Sequence, residues 1–242
     1  MVHSKLMVSS LILASWLFMS VSYAEIWYRE DFDNLANGNI VGQDTWAAVV
    51  HWKAKGANVQ GDIAFGNIGK SLLVGGGEMV VRKFPGAHAD IQHVSLHSRK
   101  EIKASQMIWY LGGGPVRWGA GTVFTIKGGK LKSTDGKDWD VDIFEIKHGE
   151  WNYYHIVMNF KTKEFDFYVD GKKVADDFKF REPDNPSLDW FFFGSHPDHA
   201  VLEVYIDNIS IGTGEGNPNF HPDKMPVSSS RKLAAVWAKL KS

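Results

Sequence analysis

The chain has 242 residues, 27 Lys and Arg against 28 Asp and Glu, and no cysteine. A near-neutral balance offers no basic face for nucleic acid. Without thiols there is neither a thiolate nucleophile nor a Cys-ligated metal centre.

At the N-terminus Lys5 supplies a positive region and Leu6 to Val21 is apolar apart from small Ser residues. Ser22-Tyr23-Ala24 then puts small residues at the −3 and −1 positions of a cleavage site. Residues 1–24 are therefore expected to be a signal peptide, with Glu25 opening the mature chain. An uncleaved anchor is the alternative, but the run of about 16 apolar residues falls short of the ~20 that span a bilayer. No later stretch is apolar enough to span. The expected location is secreted, periplasmic or at the cell surface. Removing 24 residues leaves 218, with 26 basic and 28 acidic side chains and a net charge of −2. That length suits one large β domain and is enough to hold together by burial without disulfides.

Strand-like segments follow, separated by Gly, Asn and Asp. The first is Trp27–Phe32. Ser71–Val74 and Met79–Arg82 flank the glycines at 75–77. Ile91–Arg99 alternates, with Val94 and Leu96 inward and His93, Ser95, His97 and Arg99 on the other face. Thr122–Ile126 and Lys130–Lys132 flank Gly128-Gly129, and Val141–Ile143 precedes a turn at His148-Gly149. Trp151–Phe160 carries Ile156, Met158 and Phe160 on one side, and Glu164–Val169 carries Phe165, Phe167 and Val169 inward. Asp170-Gly171 signals a type I′ turn, from which Lys172–Ala175 returns. Leu188–Gly194 and Val201–Ile211 end the series. With no helix-period segment between Glu25 and Gly212, the pattern predicts an all-β fold, an antiparallel sandwich or barrel over 25–212. Residues 213–230, rich in Gly, Pro, Asn and Ser, are expected to form a linker. Within 231–242, Leu233, Val236, Trp237 and Leu240 recur at helical spacing opposite Lys232, Lys239 and Lys241. This predicts a short amphipathic helix that docks a partner or folds back on the sandwich.

Three segments carry a family resemblance. They are Glu30-Asp31-Phe32-Asp33 through Trp46, Trp151 through Gly171, and Val204 to Ile209. Together the chain resembles the concanavalin A-like lectin/glucanase superfamily, in particular its laminin G-like branch of secreted bacterial type. The resemblance implies a jelly roll of two antiparallel sheets with one concave face. Because that superfamily holds sugar binders, glycosidases, lyases and adhesion modules, fold does not choose the activity. In relatives an Asp on the terminal strand helps hold calcium against the N-terminal strand. The resemblance therefore implies a structural calcium at Asp207, with Asp31 or a carbonyl near Glu30 as partner.

Candidate chemistry falls in four places. Asp140, Asp142 and Glu145 are similar to the acidic strand of laminarinase-like glycosidases, whose retaining pair stands about 5 Å apart. Regular alternation sets Asp140 and Asp142 on one face and Glu145 on the other, so without a bulge the trio is not expected to converge and no catalytic residue is assigned. His196, Asp198 and His199 share one loop, as a partial metal set or as polar surface. His93, His97 and Arg99 share a strand face that can read an anionic sugar or serve a lyase, or is again polar surface. Trp109, Trp118 and Trp139 sit beside Gly-rich or charged turns, where an exposed ring can stack on a sugar, or they fill the core. Trp46, Trp151 and Trp190 fit core filling better. The expected ligand-binding set is His97, Arg99, Trp109, Trp118 and Trp139. The leading function is a non-catalytic module that binds a polysaccharide or cell-surface component. A glycoside hydrolase or polysaccharide lyase is the alternative, and a structural envelope protein the third.

Overall fold

A computed structural model describes residues 24–50, 53–84, 89–101, 106–113, 120–136, 140–195 and 203–219. In chain order the first strands are β1 (Ile26–Glu30), β2 (Gly38–Asn39), β3 (Ala47–Ala48), β4 (Asn58–Gln60), β5 (Ser71–Gly75), β6 (Met79–Lys83), β7 (Ile91–Lys100) and β8 (Met107–Gly112). The rest are β9 (Ala120–Lys127), β10 (Lys130–Ser133), β11 (Val141–Glu145), β12 (Trp151–Asn159), β13 (Glu164–Val169), β14 (Lys172–Lys179), β15 (Trp190–Gly194) and β16 (Glu203–Thr213). Among the described residues no helix is long and apolar enough to cross a membrane. The signal segment up to residue 23, the His196–His199 loop and the C-terminal helix lie outside the described residues.

The strands pair antiparallel into two sheets. The larger runs β14-β13-β12-β7-β16-β5-β4-β2, with β1 added alongside β16, and the smaller runs β11-β10-β9-β8-β15-β6-β3. The sheets pack face to face as a sandwich. Val94 and Leu96 of β7, Tyr154, Ile156 and Met158 of β12, and Phe165 and Phe167 of β13 meet Val80, Trp109, Leu111, Phe124, Phe191 and Phe193 from the smaller sheet. Burying each such side chain contributes about 1.5–3 kcal/mol, which is how the chain dispenses with disulfides. The inward sets on β7, β12 and β13 are those that alternation predicts.

The Asp170-Gly171 turn is the one expected. Both residues have positive φ, 49° and 80°, as a type I′ hairpin requires. Asp170 secures it by accepting from the Tyr153 backbone N–H at 2.8 Å and from Asn152 Nδ2 at 3.1 Å.

Three features depart from the sequence reading. Strand β8 was not among the expected strands. It is buried on both faces, because Ile108 and Tyr110 join Met79, Val81, Val123 and Phe192 in a second apolar cluster on the far side of the smaller sheet. A doubly buried strand reads as a continuous apolar run without alternation. Second, residues 213–216 do not begin a free linker. Thr213 ends β16, its N–H donates to the Glu25 carbonyl at 2.8 Å, and Gly214 N–H donates to the Ile91 carbonyl at 2.9 Å. Third, β11 carries a bulge. Leu131 pairs with Phe144 while Lys132 pairs with Asp142, which leaves Ile143 as the extra residue.

Candidate functional site

The chemistry-bearing side chains gather on the face of the larger sheet turned away from the core. Strands β12, β7 and β16 are adjacent there, so residues in register form rows across the sheet. Trp151, Arg99 and Tyr205 make the first row, Tyr153, His97 and Asp207 the second, and His155, Ser95 and Ser210 the third. Asp207 reaches this face because β16 bulges beside it: Asn208 has φ 51°, and the core-facing set changes from Val204 and Ile206 to Ile209 and Ile211.

Two segments cover most of this face. Phe65, in a single 3-10 turn (Phe65–Asn67), stacks on the His97 ring with centroids 3.7 Å apart, and its N–H donates to Asp207 Oδ2 at 3.0 Å. His97 is thereby only 1% exposed, and Tyr153, 5.1 Å from it, 2%. The strap of Gly214 to Gly216 covers the third row. His155 Nε2 donates to the Glu215 carbonyl at 2.7 Å, which leaves its Nδ1 to accept from the Ser95 hydroxyl at 2.8 Å. His93 Nδ1 donates to the Gly214 carbonyl at 3.1 Å. A Cβ on Gly216 would stand 2.7 Å from the His155 ring and 2.8 Å from that of His93, so only glycine lets the strap lie this close. Burial lowers the affinity of both imidazoles for a proton, and that of His155 falls to a pKa of about 4.

The first row is only partly covered: Trp151 and Arg99 are half-buried, whereas Tyr205 is 6% exposed. Trp151 is half-buried, its ring edge-on to Phe65 at 5.7 Å. The Arg99 side chain is 28% exposed and its Nε donates to Glu101. Among the described residues no other hydrogen bond engages its guanidinium, which leaves the two terminal nitrogens to a ligand. On the other side the Tyr205 hydroxyl donates to Glu203 Oε1 at 2.6 Å. Burial, then Glu203 and Glu101, hold that phenol protonated. An aromatic ring beside a fixed guanidinium and two carboxylates can stack on a sugar ring and bond its hydroxyls.

A second group lies behind Phe65. Asp207 is 3% exposed and accepts from the backbone N–H groups of Phe65 and Asn208. Its pKa is pushed up to about 8, chiefly by burial, with Asp33 and Asp31 adding repulsion. Asp31 and Asp33 are joined through the Asp33 N–H, and Asp33 Oδ1 accepts from Lys70 N–H at 2.8 Å. The three carboxylates are near enough to repel, but among the described residues only those of Asp166, Asp176 and Asp177 stand within ligand distance of one another, so a calcium on Asp207 needs an inward shift of Asp31 and Asp33 or backbone carbonyls to complete its shell.

The expected site residues are thus divided. Arg99 is placed to meet a ligand. His97 is not, because Phe65 covers it. Trp109 is 1% exposed and packs edge-on to Tyr154 at 4.9 Å, so it fills the core and cannot stack on a sugar. Trp118 and Trp139 lie outside the described residues. Trp46 is a core residue, as expected, whereas Trp151 and Trp190 are only half-buried. The parity that turns Ile156 and Met158 inward turns Trp151 outward, a signal that was there to be read. On β11 the bulge brings Asp142 and Glu145 to the face of Lys130 and Lys132, contrary to the expectation of a regular strand. Asp142 is nevertheless held by ion pairs with Lys130 and Lys132, which lower its pKa and leave it no role as a proton donor.

No protein-family model matches the sequence, and no curated protein matches it. Solved structures share its fold. A sialidase superposes with a TM-score of 0.57 at 15% identity, over 78% of this chain and 18% of its own. The receptor-binding domain of botulinum neurotoxin D gives 0.55 at 13% identity, over 80% of this chain and 50% of its own. The carbohydrate esterase vb_24B_21 from Shiga toxin-encoding bacteriophage phi24B gives 0.55 at 10% identity, over 79% of this chain and 99% of its own. This chain therefore spans under a fifth of the sialidase and half of the toxin domain. At such identities the likeness is one of fold, an all-β sandwich.

Proposed function

We propose that the chain is an exported, non-catalytic module of laminin G-like type that binds a polysaccharide or cell-surface glycan through Trp151 and Arg99. The observation that carries this reading is the uncovered end of the first row, a half-buried indole beside a guanidinium that is 28% exposed. Fold neighbours that include a sialidase, a receptor-binding domain and a carbohydrate esterase support a glycan-related role. The signal-like segment before Glu25 supports export. Trp151→Ala and Arg99→Ala should each weaken binding on a glycan array at least tenfold, as loss of about 1.4 kcal/mol demands, with unchanged unfolding midpoints. Binding that survives both substitutions would move the site elsewhere. The lyase alternative needs the His97–Tyr153 pair, which Phe65 covers, and an unsaturated-product assay on the same glycans decides it.

Calcium held by Asp207 with Asp31 and Asp33 belongs to the same proposal. A cation bound only by the folded state, at a hundred times its dissociation constant, stabilises by about 2.7 kcal/mol. Thermal unfolding should therefore rise with calcium and fall with chelator, and Asp207→Asn should abolish the difference. A wild-type midpoint indifferent to calcium rejects the site.

A further inference from the structure

We infer that the ligand of the first row is an uncharged glycan, and that the site discriminates against uronate- and sialate-bearing chains. This inference rests on the glycan-binding reading above. It follows from what surrounds Arg99. A lone arginine beside an aromatic ring would suit a sugar carboxylate, which takes a guanidinium edge in bidentate fashion. Here the guanidinium already carries a carboxylate on Nε, that of Glu101. Glu203 stands on the other side, bonded to Tyr205, and Glu101 and Glu203 are joined through a backbone hydrogen bond of 3.0 Å. Arg99, Glu101 and Glu203 all act on the Tyr205 hydroxyl, so they share one patch. Lys147 and Glu150, in the turn that leads into β12, cancel in an ion pair of 3.3 Å. Lys100 points to the opposite face of β7, where it is buried. In the adjoining row Asp207 lies with Asp31 and Asp33. Among the described residues two acids thus flank the one partly exposed cation of the row.

A sugar carboxylate approaching Arg99 would meet two like charges for one opposite. A neutral sugar meets no such penalty. Its hydroxyls donate to the free lone pairs of Glu101 and Glu203, its oxygens accept from the terminal nitrogens of Arg99, and its C–H face lies on Trp151. Bonds from a neutral hydroxyl to an ionised carboxylate are the stronger kind.

The test titrates the exported full chain with neutral polysaccharides (laminarin, xylan, galactomannan) and acidic ones (alginate, polygalacturonate, polysialic acid) at fixed salt. At least one neutral polymer should bind at least tenfold more tightly than every acidic one. The double variant Glu101→Gln/Glu203→Gln should close that gap at least tenfold by gaining acidic ligands. Each glutamine keeps an acceptor for Arg99 or Tyr205, so the fold is retained. Tighter binding of an acidic polymer by the wild type, or a ratio the double variant leaves unmoved, overturns the inference. If Trp151→Ala still abolishes that binding, the glycan-binding reading stands without it. Binding of no polymer in either set sinks both.

Discussion

Replacing Arg82 by alanine is expected to destabilise the fold by about 3–5 kcal/mol, because it strips a buried carboxylate of its cation. Arg82 lies on the core-facing side of β6 and links the two sheets at their rim. Its guanidinium stands 4.6 Å from the Tyr28 ring centroid and 5.6 Å from that of Trp46. It pairs with Glu30 of β1 at 3.7 Å and with the more exposed Asp44 at 2.9 Å. Glu30 is buried. Its Oε1 accepts the Phe32 N–H at 2.9 Å, and its Oε2 accepts from the Tyr28 hydroxyl at 3.2 Å and from Trp46 Nε1 at 3.4 Å. Arg82 is the cation that stands against this buried carboxylate. Arg82→Ala leaves the charge and adds a cavity beneath the rings of Tyr28, Trp46 and Phe84. The double variant Arg82→Met/Glu30→Gln removes the charge, refills the space and keeps the acceptor for Phe32, Tyr28 and Trp46. It should recover most of the loss. Urea midpoints of the three proteins decide the matter. An Arg82→Ala midpoint equal to that of the wild type would mean that water solvates Glu30.

Where alternation governs a strand, the sequence was legible. Phe165, Phe167 and Val169 point inward as the period-2 pattern requires, and Asp170-Gly171 turns with both φ values positive. What escaped was of three kinds. Strand β8 escaped because apolar clusters on both its faces erase the alternation, and with it went Trp109, which its glycine neighbours made look exposed. His97 escaped because a pattern assigns a side chain to a face but does not say what covers that face. Phe65 and the strap at 214–216 come from distant segments. The bulges escaped because an extra residue leaves no compositional mark in Asp142-Ile143-Phe144, although Asn208 tolerates the positive φ that its bulge in β16 demands. The binding candidates divide the same way. Arg99 was found by parity, Trp151 was open to the same argument, and Glu101 and Glu203 acquire meaning only when β7 and β16 are paired.

Acid should weaken the domain through His155. The ring is fully buried, with His93 at 5.5 Å and Tyr168 at 5.8 Å, and it is bonded to Ser95 and to the Glu215 carbonyl. Burial first, then the proximity of His93, lowers its pKa from 6.5 to about 4, against the opposite pull of the Glu215 carbonyl. Above the unfolded value both states are neutral and the stabilisation is complete. As pH falls below 6.5 the unfolded chain takes a proton that the folded one refuses, so stability declines until the folded pKa is reached. Over the whole window the loss is about 3 kcal/mol, and about 2 kcal/mol of it is present by about pH 5. His93, shifted in the same direction by burial, adds to it. Asp207 acts with the opposite sign, since its raised pKa favours the folded state as acid is added. The measurement is therefore the difference between the wild type and His155→Gln, in which the Asp207 contribution cancels. Glutamine can still donate to the Glu215 carbonyl but does not titrate. The variant should be less stable than the wild type near neutrality, and the gap should shrink by about 2 kcal/mol when urea unfolding is repeated near pH 5. A gap that stays constant between the two pH values would show that His155 takes up its proton in the folded protein, and that the strap of Gly214 to Gly216 does not seal this face from water.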